Sequence, residues 1–379
     1  MARTVVGLDI GSSGVRAAEL TGGRSPSLVN GGSLPLPQGA VEAGSVRNSQ
    51  IVTQTLKELW HDRRIKNKDV RLGIGSGSVL VRQLELDWMP PADLRKALRY
   101  QVADLLPVSV DDANIDHITL DEYERLDPEL GTQRRFVRIL LVATARGAVD
   151  EMVRCVQAAG LRPHVADLSA FGLVRAAARS GRLSQSANQT EVIVDIGADK
   201  TAVAVHTAGR PHFVRVVAGV GGSTLTRALV DRTGRSWQEA EEVKRSTTLP
   251  LPVPAMAAMD PLAAYPAGVA PTHHASYDDV ASRILLEGAR QLVAEVKATL
   301  DFHASTDHEN PPVRVLLTGG GAALGGLTEL TRTTLDLPTR RFEPADVLPK
   351  LVARRGQRDP LADDTAMMVP IGLALGDSA

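Results

Sequence analysis

The stretch VVGLDIGSSGVRAAEL (Val5–Leu20) is an apolar run interrupted by Asp9 and then by a glycine-serine turn. Nearly the same pattern returns at VIVDIGADKTAVAV (Val192–Val205), with Asp195 at the place of Asp9, Gly197 of Gly11, Asp199 of Ser13 and Thr201 of Val15. Each copy reads as strand, tight turn, strand. The offset is about half the chain, too long for a solenoid repeat and suited to two halves of like fold.

A chain of 379 residues is long enough for two ordinary domains, each burying its own core. Hydrophobic residues at 43% and charged residues at 23% are globular proportions and argue against wholesale disorder. The net charge of -1 lacks the electrostatic footprint of a general nucleic-acid binder. A single cysteine, Cys155, rules out an internal disulfide and favours a reducing compartment. Its place in the helical string VDEMVRCVQAAG reads as a buried, inert thiol. The chain enters a strand early, with no apolar signal core. No run approaches the roughly 18 apolar residues that span a bilayer. The expectation is a cytoplasmic protein with no direct membrane insertion, recruited to the membrane by a partner.

Strands alternate with a helix from Val5 to about Val81, an α/β arrangement. From about Leu80 to Val165 the order is strand, helix, two strands, helix, strand, which predicts a small α+β unit inserted into the first domain. Pro90 and Pro91 suit the start of its first helix. The first domain is expected to comprise residues 1–82, 166–190 and 365–379, the inserted unit 83–165, and the second domain 191–364. Within the last, Leu249 to Ser276 is rich in proline and alanine without periodicity, and reads as a disordered surface loop. A long helix from about Tyr277 to Ala304 and a strand at VRVLLTG follow.

Three turns that follow apolar strands carry the chemistry: DIGSSG, DIGADK and TGGGAALGG. A glycine-serine turn aims several backbone N–H groups one way, a nest for phosphate oxygens. Asp9 and Asp195, at the ends of buried strands, suit the waters of a hydrated Mg2+, a cation that takes few carboxylates. The glycines of the third turn let a flat base approach closely. Taken singly, each aspartate is also explained as a turn cap and each glycine as a φ > 0 position. Repetition at a domain-length offset, followed by a third glycine turn, favours a nucleotide cleft.

Seven strings in this order resemble the type IV pilus assembly protein PilM family of the actin-like ATPase superfamily: VGLDIGSSGVRAAEL, DLSAFGLVRAA, VIVDIGADKTAVAV, FVRVVAGVGGSTLTRAL, SWQEAEEVKR, VLLTGGGAALGGLTEL and VPIGLALGD. The superfamily includes actin, heat-shock chaperone ATPases, sugar kinases and the division protein FtsA. The resemblance covers the chain apart from the proline-rich loop. It implies an actin-like fold, two domains with duplicated RNase H-like cores and an inserted subdomain of the FtsA type. It implies ATP or ADP with Mg2+ between the halves. By resemblance, Asp9, Gly11, Ser12, Ser13 and Arg16 match the first phosphate motif, and Asp195, Gly197 and Thr201 the second. Gly221 and Gly222 match the cleft floor, Glu241 and Lys244 the helix that meets the ribose, and Gly319, Gly320 and Gly321 the adenosine motif. Arg16 stands where relatives usually carry lysine, and a planar guanidinium is not equivalent to a point donor. Apart from the resemblance, Glu241 and Lys244 also read as a solvated i,i+3 pair.

Asp167, at the start of the connecting helix, either orients an attacking water or caps that helix. Hydrolysis is expected to be slow or absent. The resemblance further implies docking of the short cytoplasmic N-terminal tail of the inner-membrane protein PilN, besides contacts with other pilus assembly proteins. Trp88, Met89 and Leu94 are the expected apolar contacts for that tail, with ordinary core as their alternative. The competing readings are an FtsA-like division protein, a self-associating filament protein and a small-molecule kinase.

Overall fold

The computed structural model describes residues 4–106, 108–126, 131–183, 188–250, 277–308, 310–351 and 359–376. Its first sheet begins with β1 (Thr4–Gly11) and β2 (Gly14–Thr21), a hairpin whose two-residue turn is Ser12 and Ser13, followed by antiparallel β3 (Leu28–Pro35). A short ladder, β4 (Val41–Glu42) and β5 (Ser45–Val46), leads to helix α1 (Ser49–Asp62) and then to β6 (Asp69–Ile74), parallel to β1. The inserted unit supplies β7 (Leu80–Asp87), α2 (Pro91–Gln101), β8 (Ala113–Leu126) and β9 (Gln133–Ala145). After α3 (Arg146–Ala158), strand β10 (Arg162–Leu168) joins β6 in parallel, so the sheet runs β3-β2-β1-β6-β10.

The second half repeats that plan. Helix α4 (Ser169–Leu183) precedes β11 (Thr190–Ile196), β12 (Lys200–Thr207) and β13 (Arg210–Ala218), an antiparallel run, then α5 (Gly222–Thr233), α6 (Trp237–Ser246) and α7 (Tyr277–Thr306). Parallel strand β14 (Arg314–Thr318), helix α8 (Leu327–Leu335) and parallel strand β15 (Thr339–Arg341) complete the order β13-β12-β11-β14-β15, and the short helix α9 (Pro344–Val347) follows. Both sheets therefore place three antiparallel strands beside two parallel ones, which is the duplication that the two Asp-Ile-Gly strings foreshadow.

Alternation along β11 explains how one strand serves two layers. Val192, Val194 and Ile196 point into a core with α5, α7 and α8, while Ile193 faces a second core between the sheets. That central core is built on α4 and the last helix, α10 (Met368–Ala374). These two helices approach closely because glycines face each other: a Cβ on Gly372 would lie 2.2 Å from the Gly172 carbonyl oxygen. The third core, under the first sheet, contains Leu8, Leu56, Trp60 and the buried Cys155, whose thiol burial pushes upward, as expected of an inert cysteine.

Three expectations are corrected. The sequence pattern bounds the inserted unit at residue 165, yet Met152, Cys155 and Val156 of α3 pack in the first domain's core and β10 is a strand of its sheet. The separate core is formed by α2 and the three-stranded sheet β7-β9-β8, with Leu94, Leu98, Val102, Val137, Ile139 and Leu141. The strand-helix-strand order at 133–168 hid this, because periodicity does not say which sheet a strand joins. A third strand, β3, extends the first hairpin where two strands were read. Most of the proline-rich stretch, 251–276, lies outside the described residues, but Leu249 is buried, and its N–H donates to the Gly325 carbonyl at 2.9 Å.

Candidate functional site

A cleft of about 840 Å³ opens between the two sheets. Asp9, Gly11, Ser12, Ser13 and Arg16 line it from the first hairpin, Asp195 and Gly197 from the second, and Gly319, Gly320 and Gly321 from the turn after β14. Gly222, Glu241 and Lys244 complete the wall from α5 and α6. The parallel register of β11 and β14 sets Asp195 beside Thr318, so the second aspartate and the glycine turn are neighbours by construction.

The hairpin turns leave donors free. The amides of Ser12 and Ser13, and those of Ala198 and Asp199, make no hydrogen bond among the described residues. In the second turn Gly197 N–H donates to the Lys200 carbonyl at 2.9 Å, while the Gly197 and Ala198 carbonyls accept from Gly222 and Ser223 at 2.9 Å each. The α5 N-terminus is thereby tied to the turn, and its first two amides are occupied.

Charges converge on the cleft floor. Arg16 folds back on its own hairpin, donating to Asp9 Oδ2 at 3.3 Å, the Gly14 carbonyl at 3.3 Å and Ser13 Oγ at 2.9 Å. Asp195 has no hydrogen-bond or ion-pair partner among the described residues; burial, then the Asp9 charge, pushes its carboxyl up to about 6. Lys200, at the start of β12, reaches across the cleft to donate to the Gly75 carbonyl. Burial holds its ammonium below the usual lysine range, while Asp9, Asp195 and Asp199 act in the opposite sense. Lys244 donates to Glu241 Oε1 at 2.6 Å, Thr226 Oγ1 at 2.7 Å and the Gly222 carbonyl at 3.0 Å. This pair is half-buried and braces α6 on α5, so it is not the solvated pair of the simpler reading.

The donor set fits a phosphate group: free turn amides face the cleft beside a half-buried ammonium. For Mg2+ the fit is to a hydrated ion, since Asp195 offers an unengaged carboxylate and Asp9 shares its own with Arg16. No group of three or more His, Cys, Asp or Glu side chains able to hold a metal directly occurs among the described residues.

Four expected site residues are elsewhere. Asp167 does not line the cleft; its carboxylate accepts from Arg175 at 2.5 Å. Thr201 is buried and donates to the Val220 carbonyl at 2.9 Å, a structural link behind the hairpin. Gly221 is a packing glycine, since a Cβ there would meet the Ala198 carbonyl oxygen at 2.4 Å. Leu94 is core of the inserted unit, whereas Trp88 and Met89 are half-buried at its margin, with Trp88 Nε1 donating to Glu122 at 2.9 Å and Arg135 stacked 4.1 Å from its ring. Sequence reading missed Lys200, Gly75, Ser169 and Trp237 as cleft residues. Only Lys200 carried a signal, as the last residue of DIGADK.

Two sheets of shared order around a cleft bearing these three turns define an actin-like ATPase fold. A family model described as type IV pilus assembly protein PilM matches residues 7–257, and the chain belongs to that family. An FtsA cell-division protein model matches 192–363. A solved chain of a PilM-PilN type IV pilus biogenesis complex is similar in structure, with a TM-score of 0.77 at 22% identity, covering 98% of each chain. The ethanolamine utilization protein EutJ of Carboxydothermus hydrogenoformans gives a TM-score of 0.54 at 16% identity, covering 99% of this chain and 90% of that one. The division protein FtsA of Pseudomonas aeruginosa is 24% identical over 378 residues, 91% of this chain and 84% of that protein. No helix of the described residues is long and apolar enough to cross a membrane.

Proposed function

We propose that this chain is a nucleotide-binding scaffold of a type IV pilus assembly complex, cytoplasmic and held at the inner membrane by its partner. It takes ATP or ADP with Mg2+ in the cleft and docks the cytoplasmic N-terminal tail of a PilN-type protein. The observation that carries the reading is the convergence of two Asp-bearing hairpins and a triple-glycine turn on one cleft. The free amides at Ser12, Ser13, Ala198 and Asp199 receive phosphate oxygens. Asp9 and Asp195 orient the waters of Mg2+, which supplies positive charge to the phosphates. Glu241 and Lys244 face the ribose, and Gly320 leaves room for the base. With Asp167 turned to Arg175, turnover is slow or absent, and the nucleotide acts by shifting the population of cleft conformations.

The tail binds in extended form at the inserted subdomain. Strand β8 pairs on one side only among the described residues, leaving main-chain groups on its outer edge for a peptide. Trp88, which prolongs β7 on the far side of β9 and donates from Nε1 to Glu122 of β8, forms with Met89 an apolar margin of the same unit. Calorimetric titration with ATP and ADP, with Mg2+ and then with a chelator, tests the cleft. A synthetic PilN tail peptide tests the partner. Magnesium-dependent nucleotide binding together with peptide binding supports the scaffold. The FtsA model match over the second domain favours a second reading, a division or filament protein. Light scattering driven by ATP, without peptide binding, selects that alternative.

A further inference from the structure

We propose that Lys200 is the phosphate-contacting cation of this cleft, through the ammonium donors that its bond to the Gly75 carbonyl leaves unused. The inference rests on the nucleotide reading above and assigns it a residue that the motif match does not single out.

The cations lining the cleft sort themselves by their partners. Arg16 is engaged three times within its own hairpin, by Asp9, Ser13 and Gly14. Lys244 is likewise engaged three times, bracing α6 on α5. Arg245 is four-fifths exposed, at 3.7 Å from Glu241, and Arg227 is exposed on the rim. Lys200 differs from all four. Its ammonium carries three donors, and the single partner among the described residues is the Gly75 carbonyl. It lies against the wall of the opposite domain, since a Cβ on Gly75 would be 2.9 Å from Nζ. Asp9, Asp195 and Asp199 surround it closely enough to favour its charge, yet none forms an ion pair with it. A half-buried ammonium with two unused donors beside free turn amides is a site for an anion with several acceptor oxygens. The terminal phosphates of a nucleoside di- or triphosphate meet that description.

The contact has a conformational consequence. In the structure, the Lys200–Gly75 bond ties the start of β12 to the segment after β6, joining the two domains across the cleft floor. A phosphate held by the same ammonium adds a link through the ligand to this direct tie.

The test uses the full chain and titrates ATP, ADP and adenosine into wild type, Lys200→Met and Lys200→Arg. Loss of a charged hydrogen bond to phosphate predicts about tenfold to a hundredfold weaker ATP and ADP binding in Lys200→Met. Adenosine binding should change by less than about twofold, which also shows that the variant is folded, and Lys200→Arg, which keeps the charge but not the point donor, should recover part of the loss. Unchanged ATP affinity in Lys200→Met, or equal losses for ATP and adenosine, overturns the assignment and leaves the nucleotide site standing. A wild-type chain that binds adenosine as tightly as ATP does the same. Failure of the wild type to bind any of the three removes the nucleotide reading and this inference with it.

Discussion

Arg175 holds the Asp167 carboxylate at 2.5 Å, and the same guanidinium reaches the Gly372 carbonyl at 3.4 Å. One side chain of α4 thus fastens the end of β10 to α10. Both partners are less than a fifth exposed, at 19% and 18%, so the pair is worth more than a surface ion pair. Asp167→Asn should cost about 1–2 kcal/mol and lower the melting temperature by roughly 1–3 °C. Any measurable turnover and the nucleotide affinity should stay within about twofold of wild type, because the group is not in the cleft. Abolished turnover with an unchanged melting curve would return Asp167 to the active site.

Asp195 presents a cost that the ligand-free protein carries. Burial first, then the Asp9 charge, raises its carboxyl to about 6, above an unfolded value near 3.9. A carboxyl raised on folding adds stability below its unfolded value and loses it as pH rises through the folded one. At pH 7.5 the ionised group is therefore a burden, which Asp195→Asn removes. The ligand-free variant should gain roughly 1–2 kcal/mol at pH 7.5, allowing for water in the open cleft, and the gain should shrink as pH falls toward 4. Magnesium-dependent nucleotide affinity should fall in the same variant, a trade of function for stability. Melting curves across this pH range check the sign; a destabilised variant at pH 7.5 contradicts it.

The parts legible in the sequence are those in which one local rule decides. The Asp-Ile-Gly hairpins, α1, α7 and the glycine turn follow from period and turn chemistry, and the hairpins and the glycine turn line the cleft. What escaped depends on where elements go after they form. Nothing local in RPHVAD reveals that β10 pairs with β6 and not within the inserted unit. Thr201 and Gly221 belong to matched motifs but face the protein, because alternation along β12 and the contact of α5 with the second turn turn them inward. Lys200 was hidden for the opposite reason: its partner Gly75 lies 125 residues away, beyond any spacing rule.

Acid should loosen the second domain. His206 is buried with its Nε2 3.6 Å from Glu191, and burial, with His212 and Arg314 nearby, pushes it down to about 4. Burial also lowers His212 and His303. A histidine kept neutral on folding takes up its proton only when the chain unfolds, so stability is present above about 6.5 and lost as pH falls toward 4. His206 alone should remove on the order of 2 kcal/mol by pH 5. Glu191, raised by burial, works in the opposite sense and offsets part of this. Melting temperature should decline from pH 7.5 to 5, less steeply in His206→Gln; a flat wild-type profile refutes the mechanism.

Two adjacent glycines separate what the fold requires from what a ligand requires. Gly319 has φ +80°, and a Cβ there would meet Asp195 Oδ1 at 2.4 Å and the Ile196 carbonyl oxygen at 2.5 Å. Its backbone is also locked to Thr365, whose Oγ1 donates to the Gly319 carbonyl at 2.7 Å. Gly319→Ala should therefore lose about 2–4 kcal/mol of stability through strain and crowding, whether or not any nucleotide binds. Gly320 meets nothing within 4 Å and lines the cleft. Gly320→Ala should melt within about 1 °C of wild type, because its methyl group enters open space. In the nucleotide reading that space belongs to the ligand, where one extra carbon lowers affinity by roughly tenfold or more. A Gly320→Ala chain that binds ATP as wild type does would place the nucleoside elsewhere in the cleft.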